Sequence, residues 1–333
     1  MPPKHIVYIS PGHMDPTYAL EREGLGRDVD LRVMSTPDRG YMDGREVREA
    51  DAIITWRTRI DAEAIGHLER CRLIVRLGVG FDIVDVAAAA NRGIPVSNVP
   101  DYCTNEVADH TIALLLTIVR GIPAYVDSVR EAGNRWEWLA AGRLDRIQGR
   151  TLGIVGLGRI GTAVALRAKA FGIDVAFHDP YTRDGMERAL GLRRVAVLDD
   201  LLAQADFLSL HTPLTDETRG MVNAGFLSKV KQGAFLVNTS RGGVLDANAL
   251  EFALREGRIA AAALDVLPTE PPDPELPLIK AWRNGEDWIK HRLVVTPHSA
   301  FYSEQGEVDM RVKAALTVRE VLDGRPPRNV VNM

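Results

Sequence analysis

The sequence predicts an α/β fold, and three observations carry that expectation. Short apolar runs rich in β-branched residues alternate with helix-forming stretches along all 333 residues. One of these runs closes on Gly156-Leu157-Gly158-Arg159-Ile160-Gly161 and leads into a helical stretch. The length suits two units, at roughly 100 to 200 residues per domain, and 46% hydrophobic with 26% charged residues is an ordinary globular composition.

Taken in order, strands are expected at 5–10 (HIVYIS), 29–34, 52–55, 72–78 and 94–99, with helix formers around 44–50, 61–70 and 84–92. Alternation of this kind favours a mainly parallel sheet with crossover helices, a flavodoxin-like unit of about 100 residues. A helix follows from Thr104, which can cap it; Glu106 suits its first turn and Gly121 its end. Its middle is apolar on nearly every face, so the expectation is deep burial or a subunit interface.

A second strand-helix series runs through 151–158, a helix from Arg159 to Phe171 closed by Gly172, then 173–179, 206–212, 234–240, 259–266 and 292–298. The stretch from about Ser303 to Leu322 repeats Val308, Val312, Ala315 and Leu316 at near-helical spacing and is stopped by Gly324, Pro326 and Pro327. The last helix is therefore expected to return to the first unit: 1–100 with 299–333 forms one domain, and 101–298 is inserted. Two chain crossings imply a hinge and a cleft. The run PTEPPDPELP (268–277) reads as a rigid loop, and Trp282 and Trp288 beyond it as packing residues.

A formal charge of -4 and a pI near 6.1 argue against a polyanionic partner, because nucleic-acid affinity rests on clustered Lys and Arg. A small molecule is the expected ligand. Ile112 to Val119 is too short for a bilayer, which needs about 20 apolar residues, and the opening MPPKHIVYIS carries no leader pattern, so the expected compartment is the cytoplasm. Cys71 and Cys103 lack metal or redox spacing and read as reduced structural thiols; no metal-ligand motif appears.

Gly156, Gly158 and Gly161 stand between a strand and a helix, and Asp179 ends the next strand 18 residues after Gly161. That is the full dinucleotide fingerprint. The first two glycines allow a tight turn and close approach to the pyrophosphate, and the third allows helix and strand to touch. Asp179 would accept the adenosine ribose hydroxyls and repel a 2'-phosphate, favouring NAD over NADP, although Arg183 lies nearby.

Arg241, Glu270 and His298 each fall at or just past the end of an apolar run, where open α/β sheets bind ligands. A guanidinium fork suits a substrate carboxylate. A carboxylate beside an imidazole favours its charged form and orients it, so that the histidine can give a proton to a carbonyl oxygen as hydride arrives. His211, Thr212 and Pro213 are expected to line the cofactor; His110, His178 and His291 read as structural. Trp56, Arg57, Arg76 and Tyr102, near first-unit strand ends, are expected to shape the rest of the pocket.

The ordered motifs GLGRIG, HTPLT, QGAFLVNTSRGG, AALDV, PTEPP and TPHSA resemble the NAD-dependent D-isomer-specific 2-hydroxyacid dehydrogenases over nearly the whole chain. The resemblance implies a Rossmann nucleotide-binding domain inserted into a flavodoxin-like substrate-binding domain. It also implies Arg241 for substrate, His298 as the acid-base catalyst and Glu270 as its partner. Cofactor contacts are implied at Gly158, Arg159, Ile160, Asp179, Thr212, Thr239 with its neighbour Ser240, and Asp265. Val79 and Gly80 are set against the substrate carboxylate, and a homodimer is implied. Within the family, AVALRAKAFG, DGMERALGL, KQGAFLVNT and FYSEQ resemble the C-terminal binding proteins, so an NAD-sensing interaction protein with little turnover is the alternative to an enzyme. Phe301, where those corepressors are expected to have Trp, and a longer stretch between Glu270 and His298 are departures.

Overall fold

The computed structural model describes residues 4–12, 15–131 and 136–333, and the chain forms two compact units: Met1–Cys103 with Ser303–Met333, and Thr104–Tyr302. The crossings fall after Cys103 and Tyr302 rather than after 100 and 298, because each coincides with a helix start. Thr104 opens the helix Thr104–Val119, and Ser303 caps Glu304–Leu322 by accepting the Gly306 amide at its Oγ.

The first unit has five strands, β1 (His5–Ile9), β2 (Val29–Val33), β3 (Ala52–Thr55), β4 (Ile74–Arg76) and β5 (Val96–Asn98), all parallel in the order β2-β1-β3-β4-β5. This is the flavodoxin-like order. Ala19–Leu25 links β1 to β2, a helix that periodicity does not signal. The helix formers at 44–50 form turns instead, since Tyr41 bridges to Arg59 and a side chain at Gly44 would meet Ala64 O at 2.4 Å, leaving no room for a helical cylinder. The last helix docks on Ala19–Leu25 through Arg311, whose fork meets Glu21 at 2.7 and 2.8 Å. Both groups are buried, and a buried charge is tolerable only when paired in this way.

The second unit has seven parallel strands, β6 (Thr151–Val155), β7 (Asp174–His178), β8 (Arg193–Arg194), β9 (Phe207–Leu210), β10 (Ala234–Asn238), β11 (Ile259–Leu264) and β12 (Leu293–Val295). Their order, β12-β11-β10-β9-β6-β7-β8, is that of the Rossmann sheet with one strand added. The order in which strands are added reverses between β6 and β9, and at such a point the connections leaving the carboxyl ends of the two strands go to opposite faces of the sheet and leave a crevice.

Helix Thr104–Val119 buries Ala108, Ile112, Leu115 and Val119 in a cluster with β6 and the helix Arg159–Ala170, which explains its nearly all-apolar sequence. Among the described residues no single helix is long and apolar enough to cross a membrane. The segment after the Pro-rich loop holds a helix, Pro277–Arg283. Trp282 and Trp288 pack on the second core, with Arg255 stacked 3.9 Å above the Trp288 ring.

Candidate active site

The turn after β6 shows why three glycines are needed. Gly156 has φ +94°, a backbone conformation that L side chains rarely adopt, and a Cβ there would stand 2.8 Å from His211 O. At Gly161 a Cβ would come within 2.2 Å of Gly156 O, so helix and strand touch through bare backbone. At Gly158 a Cβ would meet nothing within 4 Å. The space left there lies at the N-terminus of Arg159–Ala170, where unpaired amides and the helix dipole favour an anion. Arg159 is exposed and Ile160 half-buried on the first turn.

Asp179, just past β7, accepts the Leu157 amide at 2.7 Å on one oxygen and the Tyr181 and Thr182 amides at 2.8 and 3.1 Å on the other. Partial burial works against its charge, but these amides outweigh it and hold the carboxyl below the usual range. It is thus ionised at neutral pH, and its remaining lone pairs suit ribose hydroxyls. Across the crevice, His211 holds Ser209 Oγ at 2.8 Å, and desolvation pushes its imidazole down to about 4. Thr212 Oγ1 is buried without a hydrogen-bond partner among the described residues, a polar atom awaiting a ligand. Pro213 is exposed, and its carbonyl accepts the Thr218 hydroxyl. A glycine cradle, an ionised carboxylate and an orphaned hydroxyl together fit a dinucleotide.

On the other side of the same sheet, β10, β11 and β12 are neighbours, so the residues after them share one edge. His298 Nδ1 and Glu270 Oε2 are 2.8 Å apart, and Glu270 Oε1 accepts the Leu267 amide at 3.1 Å. The carboxylate is therefore aimed by backbone, and it in turn fixes the ring. Phe301 stands edge-on to the imidazole at 6.2 Å between centroids.

Arg241 opens the short turn Gly242–Val244, and that turn presses on the same segment: a Cβ on Gly242 would lie 1.9 Å from Leu267 O. Asn238 shapes the approach by accepting Ser240 N and Oγ and donating to Arg241 O, and Arg241 Nη1 bonds Ser240 O. Thr239 and Asp265 are committed inside the second unit. Thr239 Oγ1 meets Thr111 Oγ1 at 2.8 Å, and Asp265, 2% exposed, takes the Ser299 and Ala300 amides at 2.9 and 3.0 Å. Asp265 is thereby the anchor of the loop that carries His298.

In the first unit, Arg57 lies 3.9 Å over the Trp56 ring and pairs with Asp38 at 3.0 Å. Arg76 bonds Leu77 O, and the Val79 carbonyl accepts from Asn98 Nδ2 at 2.6 Å ahead of Gly80. Tyr102 is buried. His178 Nδ1 bonds Val195 O and His291 Nε2 meets Asp127 at 3.0 Å, both structural ties. Burial pushes the Cys71 thiol up to about 12. Sequence reasoning missed Asn238 and Thr296 as parts of the site's framework, and read His110 as structural without placing it there. A polar residue closing or lying within an apolar run was the available signal.

Residues 112–300 match the family described as D-isomer specific 2-hydroxyacid dehydrogenase, NAD binding domain. Over 290 residues the chain is 38% identical to the D-3-phosphoglycerate dehydrogenase of Archaeoglobus fulgidus, covering 87% of this chain and 53% of that protein. It is 35% identical over 293 residues to C-terminal-binding protein 1 of Caenorhabditis elegans, 86% of this chain and 39% of that one. The chain thus spans about half or less of the length of these curated relatives. The crystal structure of the D-lactate dehydrogenase of Aquifex aeolicus complexed with NAD and lactic acid is similar at TM-score 0.81 and 28% identity, over 98% of this chain and 99% of that one.

Proposed function

The chain belongs to the D-isomer-specific 2-hydroxyacid dehydrogenases, and on that footing we propose that it transfers hydride reversibly between NAD(H) and a small 2-oxo or D-2-hydroxy acid. The observation that carries the proposal is the 2.8 Å bond between His298 Nδ1 and Glu270, at the edge of the sheet that also ends in the glycine turn. With Nδ1 held by the carboxylate, Nε2 is the ring atom left to exchange a proton with the substrate oxygen. Arg241 holds the substrate carboxylate with its fork. NAD, when bound, supplies or takes up the hydride. Asp179 receives the ribose hydroxyls, and the amides behind Gly158 receive the diphosphate. Substrate contacts by Val79, Gly80, Arg57 and Arg76 belong to the same proposal.

We also propose a homodimer, supported by exposed Ile122, Val126, Val129, Trp136, Trp138 and Leu139 on and after the helix Ile122–Arg130. A cytoplasmic location is the matching proposal, supported by a sequence with two cysteines, Cys71 and Cys103, at no redox or metal-binding spacing. Likeness to a C-terminal-binding protein supports a second reading, an NAD-sensing interaction protein.

One experiment separates the two. NADH oxidation is followed with glyoxylate, hydroxypyruvate, pyruvate and longer 2-oxo acids, alongside NADH binding. Turnover of about 1 to 1000 per second that His298→Ala lowers by roughly 100-fold to 10,000-fold, with NADH binding kept, is the expected result. Tight NADH binding with no turnover on any acid favours sensing, and a rate untouched by His298→Ala removes the acid-base assignment.

A further inference from the structure

We propose that His110 is a positioning residue for His298, acting through Thr296 and Asp265; the proposal rests on the acid-base reading above. His110 lies inside the apolar helix Thr104–Val119, 186 residues from its partner along the chain. Its Nε2 stands 3.2 Å from Thr296 Oγ1 and 3.7 Å from Asp265 Oδ1, and Thr296 Oγ1 is 2.5 Å from that same carboxylate oxygen.

The hydrogens in this chain are determined by counting. Thr296 has one hydroxyl hydrogen and gives it to the carboxylate, which can only accept, so the hydrogen between His110 and Thr296 belongs to Nε2. Asp265, almost fully buried, also accepts the Ser299 and Ala300 amides, and its carbonyl accepts the His298 amide at 2.7 Å. The two amides that follow the imidazole therefore end on the carboxylate beside which His110 stands, and the His298 amide ends on the backbone carbonyls of Asp265 and Thr296, the two residues that His110 meets.

The loop needs such ties. His298 sits at φ +54°, in the left-handed region that a residue with a Cβ leaves when released. Asp109, the neighbour of His110 on its helix, is engaged elsewhere by Arg167 Nε at 2.6 Å. If His110 is removed, the Thr296 hydroxyl loses its incoming hydrogen, and a buried carboxylate loses the ring that stands beside it.

The test compares wild type with His110→Ala, His110→Gln and Thr296→Val. Steady-state kinetics use whichever 2-oxo acid is turned over, and the His298 ring resonances are observed by NMR of the whole chain, assigned by their loss in His298→Ala. Glutamine keeps a side-chain N–H donor near the Nε2 position. We expect His110→Ala to lower kcat roughly tenfold with KM for NADH nearly unchanged. His110→Gln should recover most of that loss, and the His298 resonances should move in the alanine variant and return in the glutamine one. Should His110→Ala not fold, Thr296→Val interrupts the same link at nearly constant shape and should show the same loss of kcat and the same displaced resonances.

Unmoved His298 resonances, an unchanged kcat, or a glutamine variant as slow as alanine overturns the proposal. Absence of turnover in wild type would instead strike the oxidoreductase reading, and the resonance comparison would still decide whether His110 positions His298.

Discussion

Two side chains at the crevice make opposite use of burial. Asp179 keeps its charge because three amides face it, and that charge is what a 2'-phosphate would meet. Asp179→Ala should raise the ratio of NADPH to NADH affinity roughly tenfold, since about 1.4 kcal/mol of relieved repulsion is a factor of ten; fluorescence titration of both cofactors measures it, and an unaltered ratio contradicts the ribose role. His211 loses its charge because nothing repays its desolvation, and its imidazole is pushed from 6.5 to about 4. Between those values the unfolded chain binds a proton that the folded one refuses, so stability present above pH 6.5 declines as pH falls toward 4, by at most about 3 kcal/mol. His211→Asn should flatten that decline in a series of melting curves, and equal slopes for both proteins would show that the imidazole is not shielded.

The glycine turn and the loop around His298 differ in how they are built. Each glycine of the turn answers a local contact: Gly161 because backbone lies 2.2 Å from its would-be Cβ, Gly158 because its space is kept open. These roles separate experimentally. Gly161→Ala should destabilise the chain by about 1 to 3 kcal/mol. Gly158→Ala should leave the melting temperature within about 2 °C yet weaken NADH roughly tenfold, by filling the approach to the helix N-terminus. A Gly158→Ala protein that binds NADH as wild type does would remove the diphosphate from this turn. The turn was legible in the sequence because its rule spans six residues. The His298 loop was legible only as an imidazole and a carboxylate 28 positions apart. That Asp265 and the helix behind it hold the loop in place depends on which strands become neighbours. The run at 44–50 failed for a related reason: helix propensity is a weak term, and the bridge between Tyr41 and Arg59 overrides it.

For the molecule as a whole, two sheets with different strand orders come from one alternating pattern of strands and helices. The surface of the helix Ile122–Arg130 has apolar residues that the fold of one chain does not use. Val126 and Val129 remain 40% and 49% exposed, and Trp136 and Trp138 more so. Light scattering should give twice the 36.6 kDa of one chain, and the double substitution Val126→Lys with Val129→Lys should bring the mass to that of the monomer. A wild-type mass of a single chain would dispose of the homodimer.

Short-range rules were enough to read the α/β class, the glycine turn and the places of Asp179, Arg241, Glu270 and His298 at or beyond strand ends, because each depends on residue type within a few positions of such an end. Strand order, the burial that neutralises His211, the commitment of Thr239 and Asp265 to the interior, and the line from His110 through Thr296 to the His298 loop had to await the folded chain. Those features are set by contacts between residues up to 186 positions apart, and no local pattern encodes which strand ends a parallel sheet will bring side by side.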